Sequence, residues 1–264
     1  MPSVAAVRTP REPLVTGSGP ALVLAHGAGS DLDDSFGPVI DRLARAHRVI
    51  GADYPGSGAN PRAPLTLDGL ADHVVAAADA AGADRFALLG FSMGTAVAVR
   101  AATRHPDRVT ALVLSAGLAH PDARLRLAVD VWRALADRPR TLAAYLTLVV
   151  NSPDWVASRP PAALAAQLTS FAATAPPGVD DQLALLRDVD VRADLPSITA
   201  PTLVVAARAD VLVRPAHSAR LAAGIPGATL VTLDCGHAIA AEDPDGWATA
   251  VTRFLAGLGG PAQG

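Results

Sequence analysis

The 264 residues are half hydrophobic and carry a formal net charge of −3. That length holds one sizeable core with room for an inserted subdomain, and the near-balanced charge supplies no electrostatic footprint for nucleic acid or an anionic membrane. The chain has no lysine, which removes Schiff-base chemistry and a P-loop lysine, and its single cysteine, Cys235, removes intrachain disulfides and a cysteine-rich metal site.

Residues 1–19 have no apolar core and carry Arg8, Arg11 and Glu12, so they do not read as a signal peptide. No apolar run reaches transmembrane length without charges or prolines. The expectation is a cytoplasmic protein. Along the chain, six uninterrupted apolar runs predict strands at 21–25, 48–53, 86–90, 109–115, 202–206 and 229–233. Runs without alternation fit a parallel sheet covered on both faces. Helical patterns fall between them at 36–46, 67–81, 95–104, 215–223 and 245–258. Alternating strand and helix predicts an open α/β sheet, in which ligands bind beyond the carboxyl ends of the strands.

The alternation breaks between Gly117 and Ser197. That stretch is helical in pattern, is punctuated by prolines, and holds Trp132, Tyr145, Trp155 and Phe171. We therefore divide the chain into a core of residues 1–116 and 198–264 and a helical cap of 117–197. A cap over the strand ends would turn some of its aromatics toward a substrate, and Trp132, Tyr145 and Trp155 are the candidates. The plain alternative is a packing subdomain with those rings buried against the core.

The most informative motif is Gly90-Phe91-Ser92-Met93-Gly94, between a predicted strand and a predicted helix. Strand, G-x-S-x-G, helix is the form of a nucleophile elbow: a serine on a sharp turn, with glycines making room for the helix to pack against the strand. A bland reading leaves the glycines to a tight turn and Ser92 to a helix cap. A serine hydroxyl needs a base in reach, and the base needs an orienting acid. His237, after the last strand in Cys235-Gly236-His237, is the candidate base. Asp210, on the loop after residues 202–206, is the candidate acid, with Asp234 as its rival. Acyl transfer also needs oxyanion donors, for which the backbone N–H groups of Ala28 and Met93 stand in the right turns. His26 immediately follows a strand, begins the oxyanion turn and is a candidate substrate contact. Arg187, Arg192 and Arg208 read as surface ion pairs, although an arginine near the site would bind a substrate carboxylate.

These motifs, His26-Gly27, Asp53-Tyr54-Pro55-Gly56-Ser57-Gly58, the elbow, the Asp210 loop and Gly236-His237, resemble the α/β-hydrolase family in type and order over roughly residues 20–258. The resemblance implies a mostly parallel eight-stranded sheet flanked by helices, with one antiparallel strand near its start and a helical lid insertion. It implies a serine hydrolase that cleaves an ester, thioester or lactone of an apolar small molecule, with no cofactor and no metal. The same triad would serve a C–C bond hydrolase, a cofactor-free perhydrolase, or a biosynthetic cyclase or acyltransferase. A non-catalytic small-molecule binding protein is the alternative of another class.

Overall fold

The inner apolar runs form strands because both of their faces are covered, whereas the edge run 229–233 is only half-buried or exposed. In β1 (Leu14–Thr16) and β2 (Ala21–Ala25), β2 sends Leu22 and Leu24 to one layer of core and Val23 and Ala25 to the other. Successive strand side chains point to opposite faces, so a doubly covered strand must be apolar at every position. The computed structural model describes residues 12–258 except 174 and 175.

Helix α1 (Leu32–Leu43) follows β2 and leads to β3 (Arg48–Gly51). It begins four residues before the predicted helix. Asp31 caps it by accepting the Asp34 N–H at 2.8 Å, and Asp33 and Asp34 place negative charge at its N-terminus. Helix α2 (Leu67–Ala80), β4 (Phe86–Phe91), α3 (Gly94–Arg104) and β5 (Val109–Ser115) continue the alternation. Five helices then intervene: α4 (Ala123–Ala134), α5 (Pro139–Val150), α6 (Pro153–Ala157), α7 (Pro161–Ala173) and α8 (Val179–Asp188). The sheet resumes with β6 (Thr202–Ala207), α9 (Pro215–Gly224) and β7 (Thr229–Leu233). The chain ends with α10 (Ile239–Glu242) and α11 (Pro244–Leu258).

The strand order is β1-β3-β2-β4-β5-β6-β7. All pairings are parallel except that of β1 with β3. The described residues thus give a seven-stranded sheet rather than the eight strands implied by the resemblance. β1 is the antiparallel strand near the start; an earlier one would fall in residues 1–11, outside those described. Helices α1 and α11 cover one face, with Phe36 stacked on Trp247 at 5.6 Å. Helices α2 and α3, with Leu221 of α9, cover the other. No described helix is long and apolar enough to cross a membrane.

Candidate active site

Gly90-Phe91-Ser92-Met93-Gly94 joins β4 to α3 with almost no spare room. A Cβ on Gly94 would lie 2.0 Å from the Ala25 carbonyl oxygen, and one on Gly90 would lie 2.4 Å from the Gly94 oxygen. Helix and strand therefore approach to backbone contact, which only glycine allows. Ser92 takes the strain, with φ at 55°, in the left-handed region that side chains disfavour.

The Ser92 hydroxyl donates to His237 Nε2 at 3.0 Å, and His237 Nδ1 donates to Asp210 Oδ2 at 2.6 Å. The tautomer follows from the carboxylate: Asp210 only accepts, so Nδ1 carries the proton and Nε2 is left as the acceptor. The other oxygen of Asp210 accepts the N–H groups of Leu212 and Val213 at 2.9 and 2.8 Å. Asp210 is thereby fixed before it orients the ring. All three side chains are buried, and Phe91 packs against the His237 ring at 5.1 Å. Asp234 does not enter this arrangement. It is exposed and paired with Arg208 at 3.2 Å.

A cavity of about 320 Å³ opens above Ser92 and His237, a size suited to a small molecule. Ala28, Phe91, Trp132 and Phe171 contribute to its wall. A second space of about 360 Å³ adjoins it, sharing Gly29, Asp34 and Trp132. Among the described residues, Asp34 and His237 are the only ionisable side chains lining the first cavity. Asp34 opens onto that space yet is surrounded by protein, and burial raises its carboxyl above the usual range, with the Asp31 charge adding and a Ser30 hydrogen bond opposing.

Of the candidate substrate contacts, Trp132 alone reaches the cavity. It packs over Gly29, where a Cβ would lie 2.5 Å from its ring. Tyr145 is not part of the wall; its hydroxyl donates to the Ala128 carbonyl at 2.9 Å and joins α5 to α4. Trp155 lies outside as well, with the Arg159 guanidinium 3.7 Å over its ring. His26 is fully buried behind the turn. Its Nε2 accepts the Tyr54 N–H at 3.0 Å, so its Nδ1 donates to the Gly27 oxygen at 2.8 Å. It fixes the turn against the loop after β3. The three weighed arginines pair with carboxylates: Arg187 with Asp130, Arg192 with Asp190 and Arg208 with Asp234. Cys235 is buried, and its thiol is pushed up to about 12 by burial first and then by surrounding carboxylates.

The oxyanion candidates are placed by their neighbours. Gly27 N–H donates to Ser35 Oγ at 3.2 Å and Gly29 N–H to Gln182 Oε1 at 2.7 Å. The Ala28 N–H between them, and that of Met93, have no acceptor among the described residues. Two participants were not legible beforehand. Gln182, on α8, holds the turn after β2. Glu242 accepts Gly236 N–H at 2.9 Å, Ser152 Oγ–H at 2.6 Å, Ser152 N–H at 2.8 Å and Asn151 Nδ2–H at 3.3 Å. The one hint of Glu242 was compositional: it and Glu12 are the only glutamates in an aspartate-rich chain. No group of three or more metal-ligating side chains gathers among the described residues.

Comparison with known proteins places the chain as a whole. The family described as the alpha/beta hydrolase fold matches residues 20–244. A pyrrolizixenacetamide deacetylase of Xenorhabdus hominickii is 31% identical, with 91% of this chain and 92% of that protein covered. A pimeloyl-[acyl-carrier protein] methyl ester esterase of Xanthomonas campestris pv. campestris is 34% identical, over 92% and 98%. Among solved structures, the enol-lactonase of Burkholderia xenovorans LB400 superposes with a TM-score of 0.80 at 28% identity, covering 92% of this chain and 95% of its own.

Proposed function

The chain belongs to the α/β-hydrolase family of hydrolytic enzymes, and from that membership we propose that it is a serine hydrolase of uncharged, apolar esters, thioesters or lactones. The observation that carries the reading is the hydrogen-bonded line Ser92, His237, Asp210 beneath a cavity of small-molecule size. In the proposed reaction His237 Nε2 takes the Ser92 proton as Oγ attacks the acyl carbon. The tetrahedral oxyanion is held by the N–H groups of Ala28 and Met93, each donor typically contributing about 10²–10³ in rate. His237 then gives its proton to the leaving oxygen or sulfur, and water resolves the acyl-enzyme by the reverse proton path. Asp210 holds the ring and stabilises the imidazolium. Helices α4 to α8 act as the lid that shapes the acyl site, with Trp132 as a contact.

The wall supports an uncharged substrate. Among the described residues no arginine lines the cavity, and Asp34 is its one carboxyl. A carboxylate on the substrate would meet no partner there. The similarity to a deacetylase favours acyl–nitrogen bonds as the second class to assay. The same chemistry applies, with His237 protonating the departing amine.

Fluorophosphonate labelling mapped by mass spectrometry, with Ser92→Ala as control, tests the nucleophile. Labelling confined to Ser92, loss of turnover in a folded Ser92→Ala, and cleavage of neutral esters in preference to carboxylated ones are expected. Near-wild-type turnover by folded Ser92→Ala would overturn the assignment.

A further inference from the structure

Gln182 is fully buried, yet it lies on α8 in the insertion rather than in the sheet core. Both ends of its amide are used. Oε1 accepts the Gly29 N–H at 2.7 Å, and Nε2 donates to Ser57 Oγ at 2.7 Å. The Ser57 hydroxyl in turn donates to the Ser30 carbonyl at 2.8 Å. A backbone N–H can only donate, so the orientation of the amide is forced. The chain of bonds starts and ends on adjacent residues of the turn after β2, and so clamps it.

That turn carries Ala28. Its neighbours Gly27 and Gly29 are each fastened through their own N–H groups, to Ser35 and to Gln182. Two fixed flanking peptides leave the Ala28 N–H one direction. Gly29 takes φ 67° in this turn and has the Trp132 ring against it, so the turn has no slack to recover its shape by another route. We propose that Gln182 is a positioning residue of the oxyanion site: by holding Gly29 it aims the Ala28 N–H at the oxygen of an acyl group on Ser92. The inference rests on the reading of Ser92 as the nucleophile. It makes the insertion part of the apparatus that stabilises the transition state, beyond forming a wall.

Helix α8 is docked by other contacts as well. Gly178 N–H donates to the Gly56 oxygen at 2.9 Å, and Arg62 pairs with Asp181 at 2.8 Å. Substitution of Gln182 therefore leaves α8 with a seat. The effect sought is local to the turn.

The test uses the full chain and a neutral p-nitrophenyl ester, comparing wild type with Gln182→Met, Gln182→Glu and Ser57→Ala. Each is also titrated with an alkyl boronic acid, whose tetrahedral adduct on a serine presents an oxygen to the oxyanion site. Gln182→Met keeps length and volume but gives Gly29 no acceptor. It is expected to lower kcat about 10–100-fold, part of the loss seen when an oxyanion donor is removed outright. KM should change less than about threefold, and boronate affinity should fall with kcat, since only interactions made in the transition state lower kcat alone. Gln182→Glu still accepts from Gly29 and should recover most of kcat. Ser57→Ala, which removes the support behind the amide, should show a smaller loss of the same kind and carries the test if Gln182→Met does not fold. Wild-type kcat, or a kcat lowered with unchanged boronate affinity, in folded Gln182→Met or, failing that, Ser57→Ala would overturn the proposal. Failure of the underlying reading looks different: fluorophosphonate would not label Ser92 in the wild-type protein, and the proposal would fall with it.

Discussion

Glu242→Gln separates the anchoring of the His237 loop from its chemistry. The carboxylate takes four donors, two at each oxygen. An amide converts one oxygen to a donor. With nitrogen in the place of Oε2, the Gly236 N–H loses its acceptor; with nitrogen in the place of Oε1, the Ser152 N–H does. Side chains can adapt, because the Ser152 hydroxyl can reverse its role and Asn151 Oδ1, buried and without a partner, can turn to accept. A backbone N–H cannot adapt. Asn151 makes the second orientation the better one, so the lost bond is that of Ser152 and the Gly236 bond survives. A buried donor left without an acceptor costs about 1–3 kcal/mol. Glu242 is only half-buried, so water offsets part of this, and about 1.5 kcal/mol is the working figure. At about 2–4 °C per kcal/mol for a chain of this size, Tm falls about 3–6 °C. Because Gly236 stays held, kcat changes by less than about threefold. Glu242→Leu releases both N–H groups and should lower Tm further and kcat more than tenfold. Thermal melts by circular dichroism and steady-state ester hydrolysis read the two effects. An unchanged Tm in Glu242→Gln, or equal kcat in the two variants, would refute the assignment of the Gly236 bond as the one that holds the loop.

Further expectations come from packing and titration. Gly94→Ala drives a Cβ to 2.0 Å from the Ala25 oxygen and should yield insoluble protein or a Tm more than about 5 °C lower, whereas Gly37→Ala, with nothing within 4 Å inside α1, should raise stability by about 0.5–1 kcal/mol; equal melts would deny the crowding at the elbow. Cys235, with its thiol raised to about 12, should resist iodoacetamide at pH 8 in folded protein and react on unfolding; its contribution to stability is complete below about pH 9, the unfolded value, and is lost as pH rises toward 12, where the unfolded chain releases a proton that the folded one keeps. Burial holds His47, His73 and His217 below the ordinary imidazole value of 6.5, so their contribution is present above pH 6.5 and is lost as pH falls through the depressed folded values; His73→Gln should flatten Tm between pH 7 and pH 5, and an unaltered slope would count against the buried neutral ring.

The sheet interior was legible because burial on both faces demands unbroken apolar runs, as at Ala21–Ala25 and Val109–Ser115, which have the predicted limits; the edge strand Thr229–Leu233 also has them, although it is half-buried or exposed. The elbow was legible because its constraint is local: five consecutive residues must bend without a clash. The wall of the cavity was not. Trp132, Tyr145 and Trp155 are alike as aromatic residues in a helical stretch, and only three-dimensional packing decides that the first faces Gly29 while the second joins α5 to α4. Gln182 and Glu242 were invisible for a related reason. Their partners lie 153 and 90 residues away for the Gly29 and Ser152 backbone bonds, and neither has a periodicity or spacing to betray the link.

Those long connections bear on how the insertion relates to the chemistry. It leaves β5 through Ala116, a second non-glycine residue in the left-handed region, at φ 45°. Such conformations persist only where the surroundings impose them. Two residues on, at Leu118, Thr95 joins the insertion's root to the elbow: its hydroxyl donates to the Ser92 carbonyl at 2.7 Å and accepts the Leu118 N–H at 3.2 Å. The insertion is then tied to the turn after β2 through Gln182 and to the His237 loop through Glu242 and the bond from Ala238 N–H to the Val150 oxygen at 2.7 Å. Three of the four loops that carry the proposed chemistry, those of Ala28, Ser92 and His237, are thus fastened to the insertion or its root through these bonds. A displacement of the inner edge of α5 or α8 is therefore also a displacement of a group proposed to take part in the reaction, so substitutions along that edge should register in kcat and those on the outer face of the insertion should not.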